Sequence, residues 1–258
     1  MIKKIIILIW ILFIPSICLA WGPIQAFDSG IDCQYELDSY TVLQIDFNAT
    51  DGSQVFTDAS ASAHTVTGVT NAEASATGAK FGQSGVSFDG ISGHVTVPDS
   101  DDFNLGSGTY TIETWVMFRT VPGAGNQDYI YYQDSGASYY RLSYDGTSDS
   151  WAWRAKDSTG GVQTINAYHT PSPNTWYHIA VIGGWGNDPG NYALTIDGTK
   201  VANTCCLQAT LQDSIAPVYI GGANAGNMID GYIDEFRITK GISRWKENFK
   251  SPTKPYCE

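Results

Sequence analysis

Positive charge is scarce in this chain. Fourteen Lys and Arg stand against twenty-six Asp and Glu in 258 residues, a formal net charge of −12 at pH 7. Nucleic-acid binding draws its affinity from basic groups that displace phosphate counterions, so DNA and RNA are excluded as partners and anionic membranes are disfavoured. Cysteine and histidine are also few, at five and four. No C-x-x-C occurs, and the histidines lie in unrelated segments, which excludes a zinc site. His64, His94 and His169 compose no triad, and G-x-S-x-G, Walker and dinucleotide patterns are missing. Beyond the first twenty residues no apolar stretch approaches the roughly 20 residues of a membrane span. Sustained 3.6-residue apolar periodicity is missing too, which argues against helices.

The first twenty residues read as a targeting segment. Lys3 and Lys4 precede an apolar run over 5–14, Pro15 breaks it, and Cys18-Leu19-Ala20 follows. This is a signal-peptide pattern with cleavage expected after Ala20, retention as an N-terminal anchor being the alternative. A lipoprotein reading needs a small residue before Cys18, where Ile17 stands. A secreted protein is expected, extracellular, at the cell surface or in a periplasm. Cleavage leaves 258 − 20 = 238 residues, with twelve basic groups against twenty-six acidic ones. Twenty of those acids are Asp, a residue that suits turns and hard-cation sites better than helices.

What the chain does have is strand pattern. Thr, Val, Ile, Tyr and Trp alternate with polar residues between Gly, Asn, Asp and Pro turns. Strands are expected over 42–47, 85–88, 94–97, 110–119, 128–133, 139–144, 151–155, 162–166, 176–182, 192–196, 199–201, 218–220 and 232–239. Asp197-Gly198 joins two runs as a two-residue hairpin turn, and Asp145-Gly146 is a weaker version. Many short strands at this spacing predict an all-β, two-sheet antiparallel β-sandwich. The stretch 59–79, rich in Ala, Ser, Thr and Gly, is expected to be a surface loop or weak edge segment. Residues 21–40 form an N-terminal extension, 41–249 the sandwich and 250–258 a C-terminal tail.

Four segments, FDGISGHVTVPDSDDFNLGSGTYTIETWV, NTWYHIAV, NYALTIDGTKV and PVYIGGANAGNMIDGYIDEFRITKGISRW, resemble the laminin-G-like jelly rolls of the concanavalin A-like lectin and glucanase superfamily. The resemblance covers roughly residues 41–249. It implies that the first and last strands are neighbours joined by a structural Ca²⁺. Matched by motif, Asp46 is the early acid, Asp89-Gly90 supplies a carbonyl, and Asp234 is the late carboxylate. Asn48, Asp51 and Asp58 crowd the loop after the first strand. The alternative is that Asp46 and Asp234 only hydrogen-bond neighbouring turns. DFNATDG is no EF-hand, because Thr50 stands where an acid is needed and no Glu closes the loop. Cys33 and Cys257 sit outside the family-like core at its two ends, so they are expected to pair. That leaves Cys205 and Cys206 as a vicinal bridge or buried thiols, crossed pairing being the alternative.

The same resemblance raises and weakens a catalytic reading. Glucanase relatives carry an E-x-D-x-E strand motif with acid and nucleophile on one face. Here the only E-x-D is Glu36-Leu37-Asp38, with no second Glu. Glu113 is expected to form an ion pair with a residue such as Arg237 rather than to catalyse. His178 and Trp176 match a strand motif and read as structural. Trp151 and Trp153 share one strand face. With Tyr129, Tyr131, Tyr139 and Tyr144 they are candidate rings for stacking on sugars, against the alternative that they fill the core. Trp185, in the glycine-rich GGWGNDPG, is expected to be exposed and the best single contact. Asn48-Ala49-Thr50 fits an N-glycosylation acceptor. The reading is a non-catalytic recognition module for a glycan or an extracellular protein. An assembly subunit and a divergent glycan-cleaving enzyme are the alternatives.

Overall fold

A computed structural model describes residues 33–204, 210–223 and 226–257. Its strands are β1 (Thr41–Ile45), β2 (Val55–Phe56), β3 (Val66–Val69), β4 (Glu73–Ser75), β5 (Gly85–Asp89), β6 (His94–Val97), β7 (Tyr110–Thr120) and β8 (Gln127–Asp134). They continue as β9 (Tyr139–Asp145), β10 (Ser150–Lys156), β11 (Val162–Tyr168), β12 (Tyr177–Gly183), β13 (Tyr192–Ile196), β14 (Thr199–Thr204), β15 (Val218–Ile220) and β16 (Asp230–Lys240). Among the described residues the helical elements are three short 3-10 turns. The first sheet runs β14-β13-β12-β7-β16-β5-β4, with β1 added on β16, and the second runs β11-β10-β9-β8-β15-β6-β3-β2. The strand-to-strand pairings are antiparallel, as the expected sandwich requires.

Alternation decides which rings meet between the sheets. On β7 the even positions Tyr110, Ile112, Val116 and Phe118 are fully buried. From the second sheet Tyr131, Tyr140, Leu142, Tyr144, Trp151 and Trp153 face them. Ring centroids of Phe118 and Trp151 lie 5.7 Å apart, those of Tyr110 and Trp153 6.2 Å, and Tyr131 stacks on Phe236 at 6.2 Å. This overturns the sugar-stacking reading of Trp151, Trp153 and Tyr144, which are 0%, 2% and 0% exposed. Strand β10 lies between β9 and β11, so its odd side chains point at the opposite sheet. The stretch 59–79 holds β3 and β4. Two buried apolar residues, Val66 and Ala74, are enough to seat these short segments near the sheet edges.

The outer side of the first sheet is covered by both chain ends. Cys33 and Cys257 form the expected disulfide, with Cα atoms 5.1 Å apart, and Gln34 bridges Tyr256 in parallel. Cys205 and Cys206 lie outside the described residues. Arg244 grips Asp38 with two hydrogen bonds of 2.7 and 2.8 Å. Further on, Phe249 donates its N–H to the carbonyl of Gly198, 2.9 Å away. Gly198 adopts φ +74°, and a Cβ there would run into the Phe249 carbonyl, so the hairpin turn needs glycine twice over.

Candidate functional site

Under that cover lies a charged cluster. Glu113 on β7 accepts from Arg237 Nε and Nη2 on β16 at 2.8 and 2.6 Å. Its second oxygen meets His178 Nε2 at 3.1 Å and Tyr256 OH at 2.8 Å. Burial works against the charge on Glu113, but Arg237 and these two partners hold its pKa down at about 2. Glu113, Arg237 and His178 are fully buried. The ion pair expected of Glu113 and Arg237 is present. A buried pair of this kind specifies geometry more than it adds stability.

The outer side of the second sheet is open and aromatic. Registers align Thr164, Arg154, Arg141, Tyr132, Tyr219, Thr96 and Thr67 in one row across seven strands. In the next row Asp134 faces Tyr139. Strand β8 bulges between Tyr129 and Tyr131. The extra residue breaks the two-residue alternation, so Tyr131 enters the core while Tyr129 meets Tyr132, their centroids 4.8 Å apart. Arg141 binds Asp134 and lies 4.1 Å from the Tyr139 ring centroid and 5.4 Å from that of Tyr132. Burial raises the pKa of Asp134, but Arg141 and the Gly136 N–H outweigh it and lower the value. A cavity of about 430 Å³ opens here, lined by Tyr129, Tyr132, Asp134, Pro217, Tyr219 and Asn227. Tyr132, Tyr139 and Tyr219 are half-buried and Tyr129 is buried at 7% exposure. Beside a fixed ion pair such side chains offer both ring faces and directed hydrogen bonds. Of the tyrosines singled out from sequence, Tyr139 and Tyr129 belong here. Tyr132 and Tyr219 were missed, and the alternation within β8 and β15 was the available signal.

The four residues put forward for a metal fall into two pairs. Asp46 and Asp234 are close enough that Asp46, after burial and backbone bonds, still bears on the Asp234 pKa, which is raised. Asp234 accepts the N–H groups of Lys80, Phe81 and Glu235 at 2.8, 3.0 and 2.9 Å. Its neighbour Glu235 sits at φ +53° in a bulge of β16, a conformation that costs a non-glycine residue about 1–3 kcal/mol. Burial and Asp234 push the Glu235 pKa up to about 9, and its Oε1 has no hydrogen-bond partner among the described residues. Asp89 is placed elsewhere, opposite Asp230, four residues or about 13 Å of strand from Asp234. Its carboxylate caps its own turn by accepting from the Ile91 and Ser92 N–H groups and also accepts from the Asn71 side chain, and Gly90 follows in that turn.

Asp128 was not foreseen. It is 7% exposed, and its carboxyl makes no hydrogen bond among the described residues. It lines a cleft with Asp89, Gly90, Asn126, Asn227 and Asp230. Burial and the charge of Asp230 raise its pKa to about 7. Among the described residues no three His, Cys, Asp or Glu side chains converge as a metal-binding group.

The remaining candidates are distributed. Trp185 is half-buried at the tip between β12 and β13, with Lys200 Nζ 5.7 Å from its ring, away from the tyrosine row. Asp58 is buried and accepts from Gln44, Ser60 and His64. Asp51 caps Ala76. The amide of Asn48 is engaged by Asp46, Gln83 and Ser84, so this side chain is committed to the fold.

A two-sheet antiparallel sandwich with an aromatic row on one open face defines a lectin-like jelly roll. The chain matches the family model described as the concanavalin A-like lectin/glucanases superfamily, of laminin G type, over residues 88–244, and it belongs to that family. No curated protein matches its sequence. Among solved structures it is similar to the botulinum neurotoxin serotype G binding domain, at 15% identity and TM-score 0.63, covering 79% of this chain and 48% of that one. It is similar to the binding domain of Paraclostridial Mosquitocidal Protein 1, at 17% and 0.60, covering 79% and 50%. It is also similar to domain 4 of AbnA, an extracellular arabinanase from Geobacillus stearothermophilus solved with arabinotriose, at 16% and 0.61, covering 79% and 93%. The chain thus spans about half the length of the two toxin domains and nearly all of the arabinanase domain.

Proposed function

We propose that this protein is an exported, non-catalytic glycan-binding module whose site is the tyrosine row of the second sheet. The observation that carries the proposal is the alignment of Arg141, Tyr132 and Tyr219 across adjacent strands, flanked by Tyr129 and Tyr139. Rings stack on sugar C–H faces while Asp134 and Arg141 take hydroxyls. The arabinotriose bound to the arabinanase domain supports a neutral oligosaccharide as ligand class. The disulfide is consistent with an oxidising compartment outside the cytosol. Titration of neutral oligosaccharides, arabinotriose first, tests the reading. Tyr132→Ala should weaken binding by about tenfold or more, or about 1.4 kcal/mol, at unchanged Tm, and equal binding by the variant sinks the idea.

The reading includes a structural Ca²⁺ beside Asp46, Asp234 and Glu235. These three carboxylates do not converge as a ready metal-binding group, so a hard cation there would draw on Glu235 Oε1, which has no hydrogen-bond partner among the described residues, and on backbone oxygens. Asp89, at the end of β5 and paired with Asp230, and Gly90 after it are too far from Asp234 to join that set.

A further inference from the structure

A cavity of about 670 Å³, larger than the one at the tyrosine row, opens on the outer side of the first sheet. Lys80, Phe81 and Trp115 line it from the sandwich, and Phe249, Lys250 and Thr253 from the C-terminal segment. That segment lies beyond the residues matched by the family. The walls are fixed. The N–H groups of Lys80 and Phe81 are held by Asp234, Phe249 by Gly198, and Thr253 donates to Gln34 Oε1 at 2.8 Å. The disulfide closes the segment four residues later.

The charge pattern of this cavity runs against that of the chain. In a protein of net charge −12, two ammonium groups share one opening, and neither has a carboxylate within ion-pair distance among the described residues. Lys80 Nζ rests 4.1 Å above the Trp115 ring and 5.4 Å from that of Phe81. Asp197 and Asp234 act on Lys80 from farther off. Asp197 already accepts the His178 N–H at 2.9 Å, and Asp234 is occupied by three N–H groups. On two of the lining residues the buried atoms Trp115 Nε1 and Ser251 Oγ have no hydrogen-bond partner among the described residues. The cavity therefore sets two ammonium groups against one carboxylate, Asp197, and its half-buried rings Phe81 and Phe249 give it an apolar side.

We infer that this cavity binds a carboxylate-bearing sugar, its anion between Lys80 and Lys250 and its ring face against Phe81 and Phe249. A point-charge pair suits a carboxylate, whereas flat apolar walls suit a pyranose better than an extended acidic peptide. The free oxygen of Asp197 is left for a ring hydroxyl. The site lies on the other sheet from the tyrosine row and does not depend on the glycan reading given to that row.

Calorimetric titration of the full chain with trimers of galacturonate, mannuronate and guluronate, each beside its methyl ester, tests the assignment. At least one acid should bind at least tenfold more tightly than its ester, and more weakly as salt rises. Lys80→Gln, which keeps the backbone N–H to Asp234, and Lys250→Ala should each remove about tenfold of that affinity at unchanged Tm. Tyr132→Ala should leave it intact, so failure here and failure of the tyrosine site are separable. Equal affinity for acid and ester, no binding of any trimer at millimolar concentration, indifference to both lysine substitutions, or equal competition by an Asp/Glu peptide would each overturn it.

Discussion

Glu113 accepts hydrogen bonds from three residues and has no contact with water, so its removal leaves Arg237 charged and uncompensated. Glu113→Gln should cost about 3–5 kcal/mol in urea denaturation. A loss below 1 kcal/mol would show that the cluster is not what holds these strands together. The pH dependence follows from opposite shifts. The Glu113 folded pKa of about 2 lies below its usual 4.5, so its contribution is fully present above pH 4.5 and is lost as pH falls through about 2. Glu235, at about 9, and Asp128, at about 7, are shifted the other way. Their folded forms retain protons that the unfolded chain releases, so they lower stability progressively as pH rises from about 4 through 7 to 9. Without divalent cation, Tm should therefore decline from pH 5 to 9, and Glu235→Gln should flatten the upper part of that slope. An unchanged slope in the variant would place its origin elsewhere. The Glu113–Arg237 pair was legible in the alternation of β7, while Asp128 was not, because nothing local distinguishes a half-exposed strand start from a buried one.

At the scale of elements, β16 carries the most. Its eleven residues pair with β7, β5 and β1, and its bulge turns Asp234 and Glu235 towards Asp46. The expected strands 94–97, 192–196 and 218–220 coincide with β6, β13 and β15, where β-branched and aromatic residues alternate between firm turns. Strands β2, β3 and β4 were not legible as strands, since at two to four residues each is too short to show alternation and is held by pairing, β2 to β3, β3 to β6 and β4 to β5. The chain ends act as one strap over the first sheet. Replacing Cys33 and Cys257 by Ser should lower unfolding free energy by about 2–5 kcal/mol, with dithiothreitol producing the same loss in the wild type. Differential scanning calorimetry checks both, and an unaltered transition would mean that the buried contacts of Tyr256 suffice alone.

For the whole molecule, a cation is the main test of the acidic surplus. Millimolar Ca²⁺ against EDTA should raise Tm by several degrees, as about 2.7 kcal/mol at hundredfold saturation implies for a domain of this size. Glu235→Gln should reduce that gain, and a wild type indifferent to Ca²⁺ would remove the metal from the account. Alternation and turn residues were sufficient by themselves for the all-β sandwich, because both are short-range patterns, whereas the Cys33–Cys257 pairing was expected only from the two ends of such a sandwich lying close together. Which face a strand presents to the other sheet depends on pairing partners dozens of residues away. Register and one bulge therefore sent Trp151, Trp153 and Tyr144 inward and assembled Tyr129, Tyr132, Tyr139 and Tyr219 outside. Likewise, only folding the C-terminal segment back over the first sheet placed Lys250 and Lys80 on one cavity, since the strap and not any local periodicity sets that placement.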